Sequence, residues 1–191
     1  MKVIYLIMLG LAIHGGASAQ QVETLFGKGG PKVRGAYGAA SQKFSSIDGQ
    51  FANLLGGYGG VLFTNHVMIG AGAYALLNGN SIDIENDRNT SRHITYVGLV
   101  AEKTFRSEKA FHFYTKLLAG AAFIGEQDRL PGGGQYTISS RDAFLIEPEL
   151  AAELNLTKWF RMSGGLSYRF VASESRYSAP AATVSLKFGK F

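Results

Sequence analysis

Glu147, Glu149 and Glu153 fall at odd positions of one stretch, and Arg161 and Arg169 at odd positions of the next. In a β-strand, residues two apart share a face, so both sets would line one side of a sheet. Paired carboxylates can do general acid–base chemistry, and a file of charges can relay protons or ions. Carboxylates beside guanidinium groups can also simply neutralise one another. An unpaired buried charge is very costly, and charges of both signs are at hand on neighbouring stretches. An ion-paired plug is therefore the expected role. Arg34 and Gln42 near the start, Lys116 in the middle and Lys187 near the end are expected to join it.

Other constellations carry less. His93 lies near Ser91 and Ser81 and could imitate a nucleophile–base pair, but no recognisable motif surrounds them. His66 falls in a short turn and His112 near the short-turn end of its segment, and neither is set in a recognisable motif. Asp83, Glu85 and Asp87 offer oxygen ligands for Ca²⁺ without the spacing of a calcium-binding loop. The glycines at 56, 57, 59, 60, 70 and 72 are not followed by the Lys-Ser/Thr of a phosphate loop. No catalytic residue, metal site or cofactor is assigned. No Lys/Arg run marks a nucleic-acid surface.

The elements that position these residues read as eight strands, at about 33–44, 51–64, 67–78, 93–104, 111–124, 143–156, 159–172 and 181–190. Alternation is clearest towards the end. Phe144, Ile146, Pro148, Leu150, Ala152, Leu154 and Leu156 oppose the glutamates. Phe160, Met162, Leu166, Tyr168 and Phe170 oppose the arginines, and Val184, Leu186 and Phe188 oppose Lys187. Segments this long exceed the usual strand of a soluble sheet and suit a tilted bilayer crossing. Short connections (65–66, 105–110, 157–158) alternate with long ones (79–92, 125–142), and 45–50 and 173–180 are intermediate on the long side. Transmembrane barrels show this asymmetry, with short periplasmic turns and longer outer loops.

Aromatic residues bracket three segments: Phe51 and Phe63, Phe111 and Phe123, Phe160 and Phe170, at intervals of 12, 12 and 10 residues. Ten steps of about 3.3 Å at a barrel tilt rise about 25 Å, the height of the apolar band between the aromatic girdles of such barrels. Trp159 and Phe188 complete the expected girdle.

Met1 to Ala19 reads as a cleavable secretory signal: Lys2, an apolar run from Val3 to Ile13, then Ala17-Ser18-Ala19. A leader at 20–32 precedes a barrel domain at 33–191. Removing Lys2 takes the net charge from +5 to +4, without clustering. The chain has no cysteine, so an exported product would do without disulfides. Its 25 glycines, 4 prolines and 12% aromatics suit long strands.

The stretches Ile146–Leu150, Glu153–Arg161, Gly165–Phe170 and Leu186–Phe191, with Gly56-Gly57-Tyr58-Gly59-Gly60, Asn65-His66 and Gly70-Ala71-Gly72, resemble a set of small, uncharacterised exported proteins of Bacteroidota described as outer-membrane-barrel-like. Where members often carry Arg in the glycine-rich segment, this chain has Tyr58. The resemblance implies fold and compartment and carries no activity. The expectation is an all-β, eight-stranded antiparallel up-and-down transmembrane β-barrel in the outer membrane of a Gram-negative bacterium. Its partners would be outer-membrane lipid, lipopolysaccharide and the barrel-insertion machinery, which reads the C-terminal strand. Phe191 falls one residue off the apolar face of that strand. The expected role is structural or adhesive, presenting loops to an extracellular partner that the sequence does not name. The alternatives are a narrow channel, a lipid-modifying enzyme using His93, or a soluble barrel with a greasy interior.

Overall fold

The computed structural model describes residues 32–78, 83–84, 87–129 and 135–191. The expected signal and, but for Lys32, the leader lie outside them. The strands are β1 (Val33–Ile47), β2 (Gln50–Phe63), β3 (Val67–Leu76), β4 (Asp83–Ile84), β5 (Asp87–Phe105), β6 (Phe111–Arg129), β7 (Gln135–Asn155), β8 (Phe160–Val171) and β9 (Ala179–Gly189). One 3₁₀ turn, Ser175–Tyr177, interrupts the last connection. Each of the eight segments read from the sequence falls on one long strand.

Every neighbouring pair is antiparallel. The sheet closes because β1 pairs with both β2 and β9, and β3 pairs with β5. The result is a closed eight-stranded up-and-down barrel, with β4 a two-residue adjunct paired to the start of β5. Closure leaves no open edge, which is how a sheet satisfies its backbone without disulfides.

Three connections depart from expectation. The one at 45–50 is a two-residue turn, Asp48-Gly49, with φ of 52° and 78°. Positive φ at both positions is what an Asp-Gly type I′ hairpin loop requires, and glycine and aspartate tolerate it. The stretch 125–142, expected as a loop, is mostly strand: β6 and β7 stay paired out to Arg129↔Gln135. The stretch 79–92 holds β4 and the first turns of β5. The barrel thus has a near end, with Val33, Gly189 and the turns at 64–66, 106–110 and 156–159, and a far end where β5, β6 and β7 rise above their neighbours.

The wall is greasy outside. Leu99, Leu150, Leu166, Phe113 and Phe144 face out, with Leu166 71% exposed, while Lys43, Glu102, Glu147 and Arg169 face in. That excludes the soluble barrel with an apolar cavity inside and charges outside.

Candidate functional site in the barrel lumen

Strand parity decides which side chains enter the lumen. On β7, Glu147, Glu149 and Glu153 point in and are buried. Also pointing in are Lys116 on β6, Arg161 and Arg169 on β8, and Lys187 on β9. An eight-stranded barrel has an interior that side chains just fill.

Each carboxylate is met by a cation and a hydroxyl or ring N–H. Glu147 accepts the Lys43 ammonium, and Tyr96 Oη donates to it at 2.8 Å. Glu149 lies 3.0 Å from Lys116 Nζ, and Tyr114 Oη donates to it at 3.0 Å. Glu153 gathers Arg161 at 2.9 Å, His112 Nε2 at 2.9 Å and Lys187 Nζ at 2.5 Å. Glu102, on β5, accepts Lys187 Nζ at 2.6 Å, Tyr37 Oη at 2.7 Å and Tyr58 Oη at 2.8 Å. The lysines also sit against tyrosine faces: Lys43 over Tyr74 and Lys116 over Tyr58 at 4.1 Å, and Lys187 over Tyr114 at 3.6 Å. A ring quadrupole attracts a desolvated cation, so each ammonium has a carboxylate on one side and a π face on another. Tyr58 and Tyr114 work twice, ring to lysine and hydroxyl to glutamate: Tyr58 between Lys116 and Glu102, Tyr114 between Lys187 and Glu149.

His112 Nδ1 lies 3.0 Å from the Lys109 carbonyl, while Nε2 faces Glu153. Both partners are acceptors, so a ring N–H can serve either of them.

Two of the expected lumen residues are elsewhere or otherwise engaged. Arg34 is exposed, with NH1 3.3 Å from His66 Nδ1 at the near end. The pairing of β1 with β2 shifts register between Val33 and Gly35, so Arg34 sits on a bulge. Gln42 has the same parity and donates to Asn53 on β2 instead of entering the lumen. The odd residues of β1 are the inward ones, which brings in Lys43. Arg169 does face in, at 0% exposure, but it meets no carboxylate among the described residues. Its Nε donates to the Tyr177 carbonyl at 2.8 Å and its NH2 to the Ser46 carbonyl at 3.2 Å. It fastens the far-end connection.

Sequence reasoning missed Lys43, Glu102 and the five lumen tyrosines. The signal for Lys43 is faint, because both faces of β1 read as small residues. Glu102 shares its inward face with Ile94, Tyr96 and Val100, so the polar and apolar faces do not separate there.

Both ends of the lumen are filled. At the far end Ile47, Ile94, Ile124, Leu145, Val171 and Tyr177 are buried together. Burial pushes the Tyr177 phenol up to about 12. Above them Arg92 bonds Asp48 at 2.5 Å and lies 3.8 Å from Glu126. At the near end the chain swings in after β9. Phe191 packs on Tyr37 with centroids 5.0 Å apart, and the Arg161 guanidinium lies 3.7 Å from its ring centroid. Phe191 thus leaves the outer face of β9, where Phe188 stands.

Of the expected girdle, Phe51, Phe111, Phe123, Trp159, Phe170 and Phe188 are exposed on the outer wall. Phe160 is half-buried in a stack between Trp159 (5.9 Å) and Phe188 (4.8 Å). Phe63 is not in the belt. It is 7% exposed at the last residue of β2, where the chain turns back and its carbonyl takes the His66 amide. Phe44, Phe105, Phe113 and Phe144 are exposed outward as well.

His93 is half-buried on the outer side of β5; Ser81 lies outside the described residues, and the side chain of Ser91 is not described. Glu85 is likewise outside them, so the Asp83–Asp87 calcium reading has no geometry to stand on. Among the described residues no group of three or more His, Cys, Asp or Glu is placed to hold a metal.

No protein-family model matches the sequence, and no curated protein does. Solved structures do match in fold. The N-terminal β-barrel domain of Pseudomonas aeruginosa OprF aligns over 82% of this chain and 98% of its own, with a TM-score of 0.56 at 14% identity. Neisserial surface protein A aligns over 82% and 96%, with 0.55 at 12%. Ail, the attachment invasion locus protein of Yersinia pestis, aligns over 83% and 97%, with 0.52 at 14%. At such identities the likeness is one of fold.

Proposed function

We propose that this chain is an outer-membrane barrel of a Gram-negative bacterium that acts as a rigid, non-conducting scaffold holding its far-end hairpins outside the cell. The observation that carries the reading is the orientation of the wall: apolar and aromatic side chains face out along its middle, and a network of charges is enclosed in the lumen. Only a lipid surround makes that arrangement favourable, because lipid covers the outer face without cost. The far end, with the extended β5, β6 and β7, is then extracellular and the short turns periplasmic. Lipopolysaccharide surrounds the outer rim, and the insertion machinery reads β9. Two of the similar structures carry names that speak of a surface protein and of attachment, which agrees with a loop-presenting role.

Fractionation tests the reading. Recovery in the outer membrane, with a gel shift between unheated and boiled samples, is the expected result; recovery in the soluble periplasm would overturn it. The channel reading has one observation in its favour: Ser167 Oγ, Thr183 Oγ1 and Arg169 NH1 are buried in the lumen without a hydrogen-bond partner among the described residues. Water could thread such atoms. In planar bilayers the scaffold is electrically silent, and reproducible conductance steps would replace it with a channel. Protease added to intact cells is expected to cut within 79–92 or near 130–134; both stretches surviving while a known surface protein is cut would sink the presenting role.

A further inference from the structure

The outer wall carries a groove of about 730 Å³ across β5, β6, β7 and β8, starting from Val67 at the near end of β3. Its floor is made of short outward side chains, Ala101 and Thr115, with Pro148. Its sides are Leu117, Leu150, Leu166 and Tyr168, all exposed. The floor has a covalent cause. Pro148 has no amide to donate to the facing strand, and the pairing of β7 with β8 lapses between Ile146↔Phe170 and Glu149↔Ser167. Proline in a closed sheet forfeits a ladder bond, and here it does so in the middle of the wall.

One end of the groove is charged. Lys103, on the outer side of β5, lies beside Val67 and Thr115 in the pairing of the strands. Its ammonium donates to the Asn65 carbonyl in the 64–66 turn. An ammonium has three donors, so this tie fixes the head and leaves donors over. The other end of the groove, at Tyr168, is apolar and lies further into the wall. A cation at the short-turn rim followed by an apolar trough has the polarity of one lipid molecule.

We infer that this groove is a specific site for an anionic phospholipid of the periplasmic leaflet, with its phosphate on Lys103 and an acyl chain along Leu117, Leu150 and Leu166. The inference rests on the membrane reading above, because it needs the short turns on the periplasmic side. Charge selects the lipid: a phosphate with a neutral or anionic head accepts from Lys103, whereas an ethanolamine ammonium would repel it. The trough adds contact area that a smooth wall lacks.

The experiment reconstitutes the full chain into vesicles of mixed phosphatidylglycerol and phosphatidylethanolamine, tests flotation, and counts retained lipid by native mass spectrometry. One phosphatidylglycerol per chain is expected to survive gentle activation. Retention should fall about tenfold in Lys103→Gln, the worth of one charge-assisted hydrogen bond, and recover in Lys103→Arg. Leu166→Trp, which fills the trough, should lose the lipid, while Val184→Trp on β9 should keep it. Equal retention of both headgroups, or retention unchanged by the groove substitutions, would overturn the inference and leave the barrel reading standing. Failure to float with the vesicles would overturn both.

Discussion

Lys43, Lys116 and Lys187 are held by one recipe, a carboxylate on one side and a tyrosine face on another, and the recipe makes the lumen sensitive to single changes. Glu147→Gln keeps an acceptor for Tyr96 Oη but leaves Lys43 buried opposite a neutral amide. Glu149, 3.9 Å away, is then its nearest carboxylate, so the loss should stay below the about 3–5 kcal/mol of a fully uncompensated buried charge. Reversible urea unfolding in lipid vesicles should read that loss. The double variant Lys43→Met, Glu147→Gln removes the stranded cation, sets a thioether over the Tyr74 ring, and is expected to regain most of the loss. If the double variant is as unstable as the sum of the singles, the two groups do not act as a pair. The three glutamates of β7 were legible in the sequence because their strand alternates cleanly between Phe144 and Leu154. Lys43 was not, because Ala36, Gly38 and Ala40 on one face of β1 look much like Ala39 and Ser41 on the other. A parity error of one residue moves every side chain across the wall, and Arg34 and Gln42 were misplaced by that error.

At the scale of elements, the strand ends are where sequence and structure part. β6 runs to Arg129 and β7 starts at Gln135, although alternation is clear only as far as Ile124 and from Ala143. Past those points the sequence turns polar at successive positions, Glu126 to Arg129 on one strand and Ser139 to Asp142 on the other, so no apolar alternation marks the strand. The Asp48-Gly49 turn carried a direct signal in its dipeptide. Glycine settles the middle of the β2–β3 ladder: a Cβ on Gly70 would stand 1.9 Å from the Gly59 carbonyl oxygen. The connection after β8 is shaped by Arg169, which takes the Tyr177 carbonyl, and by the Asp48 amide, which donates to the Arg176 carbonyl at 2.9 Å. Arg169→Met keeps the bulk of the buried stem but drops these bonds. The barrel should still form and shift on boiling, while trypsin applied from outside should cut after the exposed Arg176 about tenfold faster, as the loss of a charged hydrogen bond implies. An unchanged cutting rate would mean that Tyr177 burial alone holds the connection.

For the whole molecule, the fold was legible because its two signals, period-2 segments and short-then-long connections, come from the same geometry of a closed meander. The belt was partly legible, because aromatic residues at strand ends have outward parity, and Phe63, at the last residue of β2, departs from it by being buried. That belt permits a sharp test of where the barrel sits, since Trp159 is the one tryptophan of the chain. It is exposed on the wall at the 156–159 turn, stacked 6.2 Å from Phe188. Amphipathic aromatic rings settle at the headgroup level of a bilayer, the apolar body in the acyl region and the N–H towards water. In vesicles its emission should be blue-shifted relative to the urea-unfolded chain. Lipids brominated high on the acyl chain should quench it more strongly than lipids brominated near the chain end, because the turn lies at one edge of the apolar band. In a barrel surrounded by water the same ring would be solvated and neither lipid would quench it. Stronger quenching by the deep bromines would move the short turns into the bilayer core, a place where the open carbonyls of a turn could not be satisfied. That result would require the barrel to be shifted along its axis from the position its two aromatic rims define.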